Sequence, residues 1–203
     1  MELYTMGEKV MLSIIKKKKQ EDWRYRYYGN HDVSDILNKL LSYPEEEWWL
    51  DRTRQQMFPF VHKETTTIFV SEIDIVGWEL GQPFQPTVRL KDPELWKMIE
   101  PIVSHYEKQH DGKAGKVAFL RLPAKKVVYP HCDEGDYLGL VHRHHIAIQT
   151  NEDAIFSVDT EEKHMKAGDC WEINNAKTHG VANNGTTDRI HLMFDIMPNK
   201  HIE

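Results

Sequence analysis

Two potential metal ligands, His131 and Asp133, stand two positions apart at the end of a predicted strand. Side chains at positions i and i+2 of a strand point to the same face, so one ion can contact both. A third ligand would complete a set of two histidines and one carboxylate, which suits non-haem Fe(II) because it leaves coordination positions open. His179, which begins another predicted strand, is the candidate. A His-x-Asp triplet also occurs by chance, so the prediction depends on what lies beside it.

A basic residue follows the third ligand closely. The pair Asn184-Gly185 predicts a hairpin turn, which would bring Arg189 back beside His179. Guanidinium binds carboxylate in a two-pronged geometry. A ligand that chelates iron through a keto acid group and carries a distant carboxylate would contact both sites, and 2-oxoglutarate is such a ligand. Without His179 nearby, a surface salt bridge would be the better interpretation of Arg189.

Two predicted strands carry a polar face and an apolar face. The polar faces hold Arg189, His191, Met193 and Asp195 in one strand and Arg143, His145, Ala147 and Gln149 in the other. The opposite faces hold Ile190, Leu192, Phe194 and Ile196, and His144, Ile146 and Ile148. A polar face is often only solvent-exposed. If the sheet closes, however, these faces line its lumen, where Arg and His would suit an anionic ligand.

Short strands separated by turns fill the chain from Lys116 onward. Roughly eight are predicted, at residues 117–122, 127–131, 143–150, 154–158, 163–166, 170–174, 179–183 and 189–196. Strands so closely spaced predict a barrel or a sandwich. The expected fold class is therefore mainly β with flanking helices.

Residues 1–115 predict the elements that flank this barrel. Ser34–Leu41 has apolar residues at helical spacing, and Asp92-Pro93-Glu94 begins a second helix that Pro101 should kink or split. Between them, the β-branched residues 65–76 predict one or two strands. We expect residues 1–203 to form a single domain, with residues 116–196 as the core that holds the metal site.

The composition excludes several classes of protein. A net charge of −6 argues against nucleic-acid binding, and the chain contains no apolar run long enough for a membrane span. With only Cys132 and Cys170, neither a disulfide framework nor a thiol zinc site is expected. The apolar residues 11–15 precede the lysine cluster 16–19, the reverse of a secretory signal, so a cytoplasmic protein is predicted.

Four blocks of this sequence resemble the aspartyl/asparaginyl β-hydroxylase family of 2-oxoglutarate oxygenases, which includes free-proline hydroxylases. They are YPHCD at 129–133, RHHIAIQTN at 143–151, GDCWEINN at 168–175, and HGVANNG at 179–185 running into DRIHL at 188–192. Their order and spacing agree with the family. One departure is the segment 123–126, PAKK, which stands where a glycine-bearing turn is expected.

The resemblance implies a double-stranded β-helix, a jelly-roll or cupin-like barrel, and an oxidoreductase of the dioxygenase class. It implies Fe(II) bound by His131, Asp133 and His179, and 2-oxoglutarate held by Arg189, with O2 as the oxidant. The reaction would hydroxylate a C–H bond and release succinate and CO2. Further residues are implied as binding 2-oxoglutarate or lining the site, namely Arg143 and His145.

The substrate implied is a free amino acid or a residue of a peptide, with a slight preference for a small molecule. Its carboxylate would need a cation, and Arg121, Arg52 and Arg54 are available. Further candidates for lining the site are Trp171, His191 and Asn151, although Trp171 is more simply a core residue.

Two alternatives remain at this stage. A cupin-like metal protein or isomerase would use His142-Arg143-His144 as a His-x-His pair, but the acidic ligand expected a few residues later is missing. A non-catalytic relative acting through protein contacts is the other, and the intact set of metal ligands argues against it.

Overall fold

The computed structural model describes residues 21–202, whose strands form two antiparallel sheets. The apolar residues 11–15 and the lysines 16–19 lie outside the described residues. The seven-stranded sheet contains, in spatial order, β1 (Tyr25–Asn30), β9 (Asp169–Ile173), β6 (His142–Gln149), β11 (Arg189–Pro198), β4 (Gly112–Leu122), β2 (Thr66–Glu72) and β3 (Thr87–Val88). The four-stranded sheet contains β5 (Lys126–His131), β10 (His179–Asn183), β7 (Ala154–Val158) and β8 (Glu161–His164).

The strands predicted beyond Lys116 all form. Ala154–Val158 and His179–Asn183 have the predicted bounds, and most of the others differ by one or two residues. The largest difference is at β4, which begins at Gly112 because its first residues pair with the end of β11. Period-two alternation was therefore a sound guide to this half of the chain.

Helices cover the outer face of the seven-stranded sheet. The described helices are α1 (Ser34–Leu41), α2 (Glu45–Trp49), α3 (Thr53–Met57), α4 (Pro59–His62), α5 (Ile75–Glu79), α6 (Pro93–Gln109) and α7 (Asp136–Leu140). Leu95 and Ile99 of α6 pack in one buried cluster with Leu192 and Phe194 of β11. The apolar face of β11 is thus the face that meets the helices. Within residues 21–202, no helix is both long and apolar enough to cross a bilayer.

Two predictions for the first half of the chain differ from the structure in part. Helix α6 runs unbroken from Pro93 to Gln109, so Pro101 does not split it; Pro101 and Lys97, whose carbonyl the missing amide would have bonded, are both exposed. The strand predicted over residues 65–76 ends at Glu72. Asp74 then accepts a hydrogen bond from the Gly77 amide at 2.9 Å and caps α5, so β-branched Val76 is helical.

The predicted hairpin at Asn184-Gly185 is wrong. β10 and β11 belong to different sheets, and the segment between them crosses from one sheet to the other. An added Cβ at Gly185 would lie 2.0 Å from Asn151 Oδ1, so a larger residue there would displace the Asn151 side chain. Asn151 Nδ2 in turn donates to Asn183 Oδ1 at 3.0 Å and to the Thr187 carbonyl at 3.1 Å, which ties the crossing segment to the barrel.

The turn that enters β5 forms without glycine. Lys125 takes a φ of 62°, in the left-handed region, and the Lys126 amide donates to the Pro123 carbonyl at 3.3 Å. A left-handed lysine costs roughly 1–2 kcal/mol relative to an unstrained backbone. The strand that carries His131 therefore begins at a strained turn.

The polar faces of β6 and β11 point into the space between the two sheets. An apolar cluster closes part of this lumen, with Leu122 and Ala147 from the larger sheet and Phe156, Val158 and Val181 from the smaller. Arg189 and His145 are buried beside Phe156. The lumen is thus an enclosed, partly charged space.

Candidate metal and co-substrate site

The three predicted metal ligands meet at one end of the lumen. His179 at the start of β10 stands opposite His131 at the end of β5 in the strand register, and Asp133 follows two residues later. One potential ligand atom from each of the three lies within 4.8 Å of the others. The antiparallel pairing of β5 and β10 therefore brings the third ligand to the first two.

Both histidines have the hydrogen bonding of metal ligands. Nδ1 of His131 donates to the Tyr129 carbonyl at 2.8 Å, and Nδ1 of His179 donates to the Lys177 carbonyl at 3.0 Å. These bonds leave the Nε2 lone pairs facing Asp133, at 4.0 Å and 3.8 Å from its oxygens. Burial lowers the pKa of His179 to about 4, which keeps that ring neutral and able to bind a cation.

Asp133 is held as a carboxylate. Its Oδ2 accepts a hydrogen bond from Arg143 Nη1, with Asn175 Nδ2 at 3.4 Å. Burial alone would raise the pKa of Asp133, but the charge of Arg143 outweighs it and lowers the pKa to about 2. Two imidazoles and one carboxylate, with their potential ligand atoms converging, fit a divalent transition metal.

Arg143 binds carboxylates on two sides. In addition to Asp133, it donates from Nε and Nη2 to the two oxygens of Asp195, each at 2.8 Å. Asp195 is fully buried. The structure thus places the guanidinium of Arg143, which was expected to bind 2-oxoglutarate or line the site, where it connects the ligand Asp133 to the wall of the barrel.

Arg189 is buried without a carboxylate partner. Its residue exposure is 4%, and within residues 21–202 no carboxylate oxygen lies within 4.0 Å of it. Its Nη2 donates to His191 Nδ1 at 2.7 Å, and its guanidinium lies 5.5 Å from the centre of the Phe156 ring. Burial lowers the pKa of Arg189 to about 9. A buried cation without an anion is costly, so this position calls for an anionic ligand.

His145 also has an unsatisfied atom in the lumen. Its Nδ1 is buried and has no hydrogen-bond partner in the described part of the chain. The ring lies 5.2 Å from Phe156 and 5.8 Å from His191. Burial holds the pKa of His145 well below its usual value, so the ring is neutral and can donate to or accept from a ligand.

A cavity of about 70 Å³ joins these groups. Its walls come from both sheets and from helices α3 and α4, and it is lined by Arg54, His62, Thr65, Leu120, Arg121, Leu122, Val128, His131, Asp133, Arg143, His145, Phe156, His179, Gly180, Val181, Arg189 and Met193. Sequence reasoning missed His62, whose ring centre is 5.3 Å from that of His131. No spacing pattern links this residue to the ligands.

The other residues proposed to line the site lie at its border or away from it. Arg121 is bound by Glu45 and by Thr66 Oγ1, while Asn151 supports the crossing segment. Trp171 packs against Tyr25 and Tyr27 and is not among the lining residues. His191 stands behind Arg189, which it contacts.

The His-x-His pair of the cupin-like alternative lies on the opposite face of β6. His142 Nδ1 contacts Glu172 Oε1 at 2.7 Å, and His144 Nε2 contacts His110 Nε2 at 3.1 Å. The two rings therefore face the helices and not the lumen that holds His131 and His179.

The family model of aspartyl/asparaginyl β-hydroxylases matches residues 82–198. A comparison with curated proteins finds no match. Among solved structures, an oxidoreductase of the 2OG-Fe(II) oxygenase family from Burkholderia pseudomallei is 8% identical, with 92% of this chain and 89% of that chain covered and a TM-score of 0.58.

Two further solved structures have a similar fold. HygX from Streptomyces hygroscopicus, determined with nickel and 2-oxoglutarate bound, is 13% identical, covers 97% of this chain and 88% of its own, and has a TM-score of 0.52. The viral collagen prolyl hydroxylase of Paramecium bursaria Chlorella virus-1 is 13% identical, with 87% of this chain and 97% of that chain covered and a TM-score of 0.51. These similarities confirm the predicted double-stranded β-helix fold. Because the family model spans more than half of the 203 residues, the chain belongs to the aspartyl/asparaginyl β-hydroxylase family.

Proposed function

We propose that this chain is an Fe(II)- and 2-oxoglutarate-dependent dioxygenase that hydroxylates a C–H bond of an amino acid or of an amino-acid residue. The observation that carries the proposal is the meeting of two features in one cavity. Three metal-competent side chains, His131, Asp133 and His179, share it with Arg189, a buried guanidinium that has no carboxylate partner among residues 21–202. A keto acid with a second carboxylate would satisfy both.

Iron(II), 2-oxoglutarate and O2 would supply the oxidising chemistry, with succinate and CO2 as co-products. The protein's own contribution is placement. His131 and His179 present their Nε2 atoms because backbone carbonyls hold their Nδ1 protons, and Arg143 keeps Asp133 ionised and oriented. Arg189 would bind the distal carboxylate of 2-oxoglutarate in a two-pronged geometry.

Exclusion of water is the second contribution. The walls of the cavity near Arg189 are apolar, with Phe156, Val181 and Met193 among them. In such surroundings a charge-assisted hydrogen bond is stronger than in water, and reactive species are protected from it. His145 Nδ1, unsatisfied among the described residues, is available to bind a ligand that occupies the cavity.

Coupled turnover tests this function. Purified protein is supplied with Fe(II), ascorbate, O2 and 2-oxoglutarate, and free amino acids and short peptides are screened for succinate release by mass spectrometry. A substrate should raise succinate release and gain one oxygen atom in equal amount. His179→Ala, which removes one of the predicted ligands, is the negative control. A protein that binds neither metal nor 2-oxoglutarate, and releases no succinate with any compound, would contradict the proposal.

The cupin-like alternative has no observation in its favour. Its His-x-His pair, His142 and His144, is engaged with Glu172 and His110 on the outer face of the barrel. Competition of 2-oxoglutarate with a metal-bound probe would separate the two functions, because only a 2-oxoglutarate enzyme should show it.

A further inference from the structure

A second guanidinium without a carboxylate partner lines the cavity. Arg54 lies on α3 and is partly buried, with Nη1 at 3.5 Å from Thr67 Oγ1 and Nη2 at 3.3 Å from a ring nitrogen of His62. Within residues 21–202, no carboxylate oxygen lies within 4.0 Å of its guanidinium. These contacts satisfy Arg54 only weakly, because they are long and neutral.

Arg54 reaches the cavity from outside the strands of the barrel. Helix α4 packs against β5, the strand that ends in His131, and α3 packs against α4. Arg54 on α3 and His62 on α4 thus lie at the cavity wall. Both helices precede residues 82–198, which match the family model. Arg54 thus lies in a part of the chain that the family model does not match.

A charge count sets Arg54 apart from the other cations of the cavity. Arg143 shares two carboxylates, Asp133 and Asp195, so this group has one negative charge in excess. A divalent metal would turn this excess negative charge into an excess positive charge of the same size. The two negative charges of 2-oxoglutarate would then be balanced by that positive charge and by the charge of Arg189. Since Arg121 is bound by Glu45, Arg54 is the cavity-lining guanidinium, within the described residues, that would keep an uncompensated charge.

We propose that Arg54 binds a carboxylate of the primary substrate, so that the substrate is a carboxylic acid rather than a neutral compound. This inference rests on the proposed function. The carboxylate has two chemical sources, the α-carboxylate of a free amino acid or the side chain of an acidic residue in a peptide. Both would be paired with the same guanidinium in a partly desolvated place, where Arg is the better partner than Lys because of its planar fork.

The burial of Arg54 and its neighbours supports this assignment. Burial and, to a smaller extent, the charge of Arg143 lower the pKa of Arg54 to about 10, against the opposing effect of Asp133 and Asp195, so a bound anion would relieve an unfavourable environment. Arg54 also adds to the depression of the pKa of Arg189. The two guanidinium groups therefore repel each other across the cavity, and an anion bound to either would relieve that repulsion.

Binding to the loaded but inactive protein tests the proposal. The protein is saturated with Mn(II) and 2-oxoglutarate without O2, and probes are titrated by calorimetry. One set of probes contains the free L-amino acids and their carboxamides. The other contains N-acetyl-L-aspartate methylamide and its neutral match, N-acetyl-L-asparagine methylamide. The first set reports an α-carboxylate and the second reports a side-chain carboxylate.

At least one carboxylate probe should bind, and its neutral match should bind at least about 30-fold more weakly, as expected when one partner of a desolvated ion pair is removed. Arg54→Gln should weaken the carboxylate probe by a similar factor, Arg54→Lys by less, and neither should change the Kd of 2-oxoglutarate more than about threefold. Arg52→Gln is the matched control, since it removes an exposed guanidinium two residues away, over the Trp49 ring, and should change nothing.

Three results would overturn the inference while leaving the proposed function in place. They are equal binding of acids and their neutral matches, the absence of any carboxylate binder, and a loss of 2-oxoglutarate affinity in Arg54→Gln as large as in Arg189→Gln. A wild-type protein that fails to take up Mn(II) and 2-oxoglutarate would instead overturn the proposed function and the inference with it. Melting temperatures of the variants show whether they are folded.

Discussion

Strand β6 separates two clusters of buried polar groups that differ in one respect. On its helix-facing side lies the outer cluster, defined as Tyr28, His110, His142, His144 and Glu172. On its other side lies the lumen cluster, defined as Arg54, Arg143, His145 and Arg189. Both contain imidazole and charged groups in the interior, and four of these residues, His142 to His145, are consecutive on β6.

The outer cluster satisfies its own polar groups. Glu172, 1% exposed, binds His142 Nδ1 at 2.7 Å and accepts from the Tyr28 hydroxyl at 2.9 Å. His110 and His144 share a contact of 3.1 Å. In the lumen cluster, His145 Nδ1 has no partner and Arg189 has no carboxylate among residues 21–202.

Whether its buried polar groups have hydrogen-bond or ion-pair partners therefore distinguishes a structural cluster from a binding site better than the types of residue it contains. Buried polar groups with full sets of partners stabilise one packing arrangement, whereas buried groups without partners cost free energy until a ligand arrives. Arg143 combines both roles, because it has its carboxylates and also contacts a predicted metal ligand. Variants of residues in the two clusters test this distinction.

The largest expected effect is the loss of a metal ligand. Removing a group that only orients a metal ligand typically reduces metal affinity or activity by roughly 10–100-fold. His179→Ala removes a predicted ligand itself and should therefore reduce metal affinity and succinate release by more than that. His142→Ala is the matched control, since it removes an imidazole from the outer cluster. It should retain metal affinity, measured by calorimetry with Mn(II), and lose stability instead. Equal metal affinity in His179→Ala and wild type would contradict the assignment.

Removing Arg143 should produce the largest loss of stability. Arg143→Gln leaves Asp133 and Asp195 buried without their shared cation, and breaking a buried ion pair in this way costs about 3–5 kcal/mol. Urea unfolding of the metal-free protein gives the value. If the free energy of unfolding falls by less than about 1 kcal/mol, the two carboxylates are not as dependent on Arg143 as their contacts indicate.

That the candidate ligands His131, Asp133 and His179 lie together was partly predictable, because part of the signal is local. His131 and Asp133 share a face at a spacing of two, and alternation in β6 and β11 separates lumen from core. His179 needed more, because its position opposite His131 depends on the pairing of β5 with β10. The sequence offered His179 as a candidate at the start of a strand, and the resemblance to a known family supported it.

The contacts that distinguish the two clusters were not predictable. The partner of Arg143, Asp195, lies 52 positions further along the chain, and Arg54 reaches the cavity through helices that no strand pattern connects to it. The Asn184-Gly185 pair shows the same limit. It indicates a change of chain direction, and residues 185–187 do bend, but a local signal does not tell whether the next strand joins the same sheet or the opposite one.

Replacing Arg189 should impair ligand binding and not stability, whereas replacing Arg143 should reduce stability. Arg189→Gln should weaken 2-oxoglutarate binding by about 30-fold or more, because a desolvated guanidinium contributes about 2 kcal/mol or more to binding an anion. Its free energy of unfolding should stay the same or rise, because the variant removes a buried charge that has no carboxylate partner in the described structure. Calorimetry and urea unfolding give the two quantities. A marked loss of stability would place Arg189 with the structural groups.

In the outer cluster, Glu172→Gln should destabilise without affecting the site. It weakens the charge-assisted contacts with His142 and Tyr28, at a cost of about 2 kcal/mol. Burial raises the pKa of Glu172, but His142 outweighs it, and the result is about 2, below the ordinary 4.5. The stability from this ionisation is present above pH 4.5 and lost as pH falls toward 2. The variant should therefore lose less stability than wild type between pH 6 and pH 3, whereas equal losses would contradict this account.

The smallest expected effect lies outside both clusters, at Lys125 in the turn before β5. Lys125→Gly removes the left-handed strain of a side chain at φ 62° but adds freedom to the unfolded chain, so a net gain of about 0.5 kcal/mol in the free energy of unfolding is expected. Lys126→Gly, in the strand itself, is the control and should destabilise. Mn(II) affinity decides what the strain does. If Lys125→Gly binds metal as wild type does, the turn only connects two strands. A weaker affinity would mean that the strained turn helps to hold β5, and with it His131, in the register that faces His179.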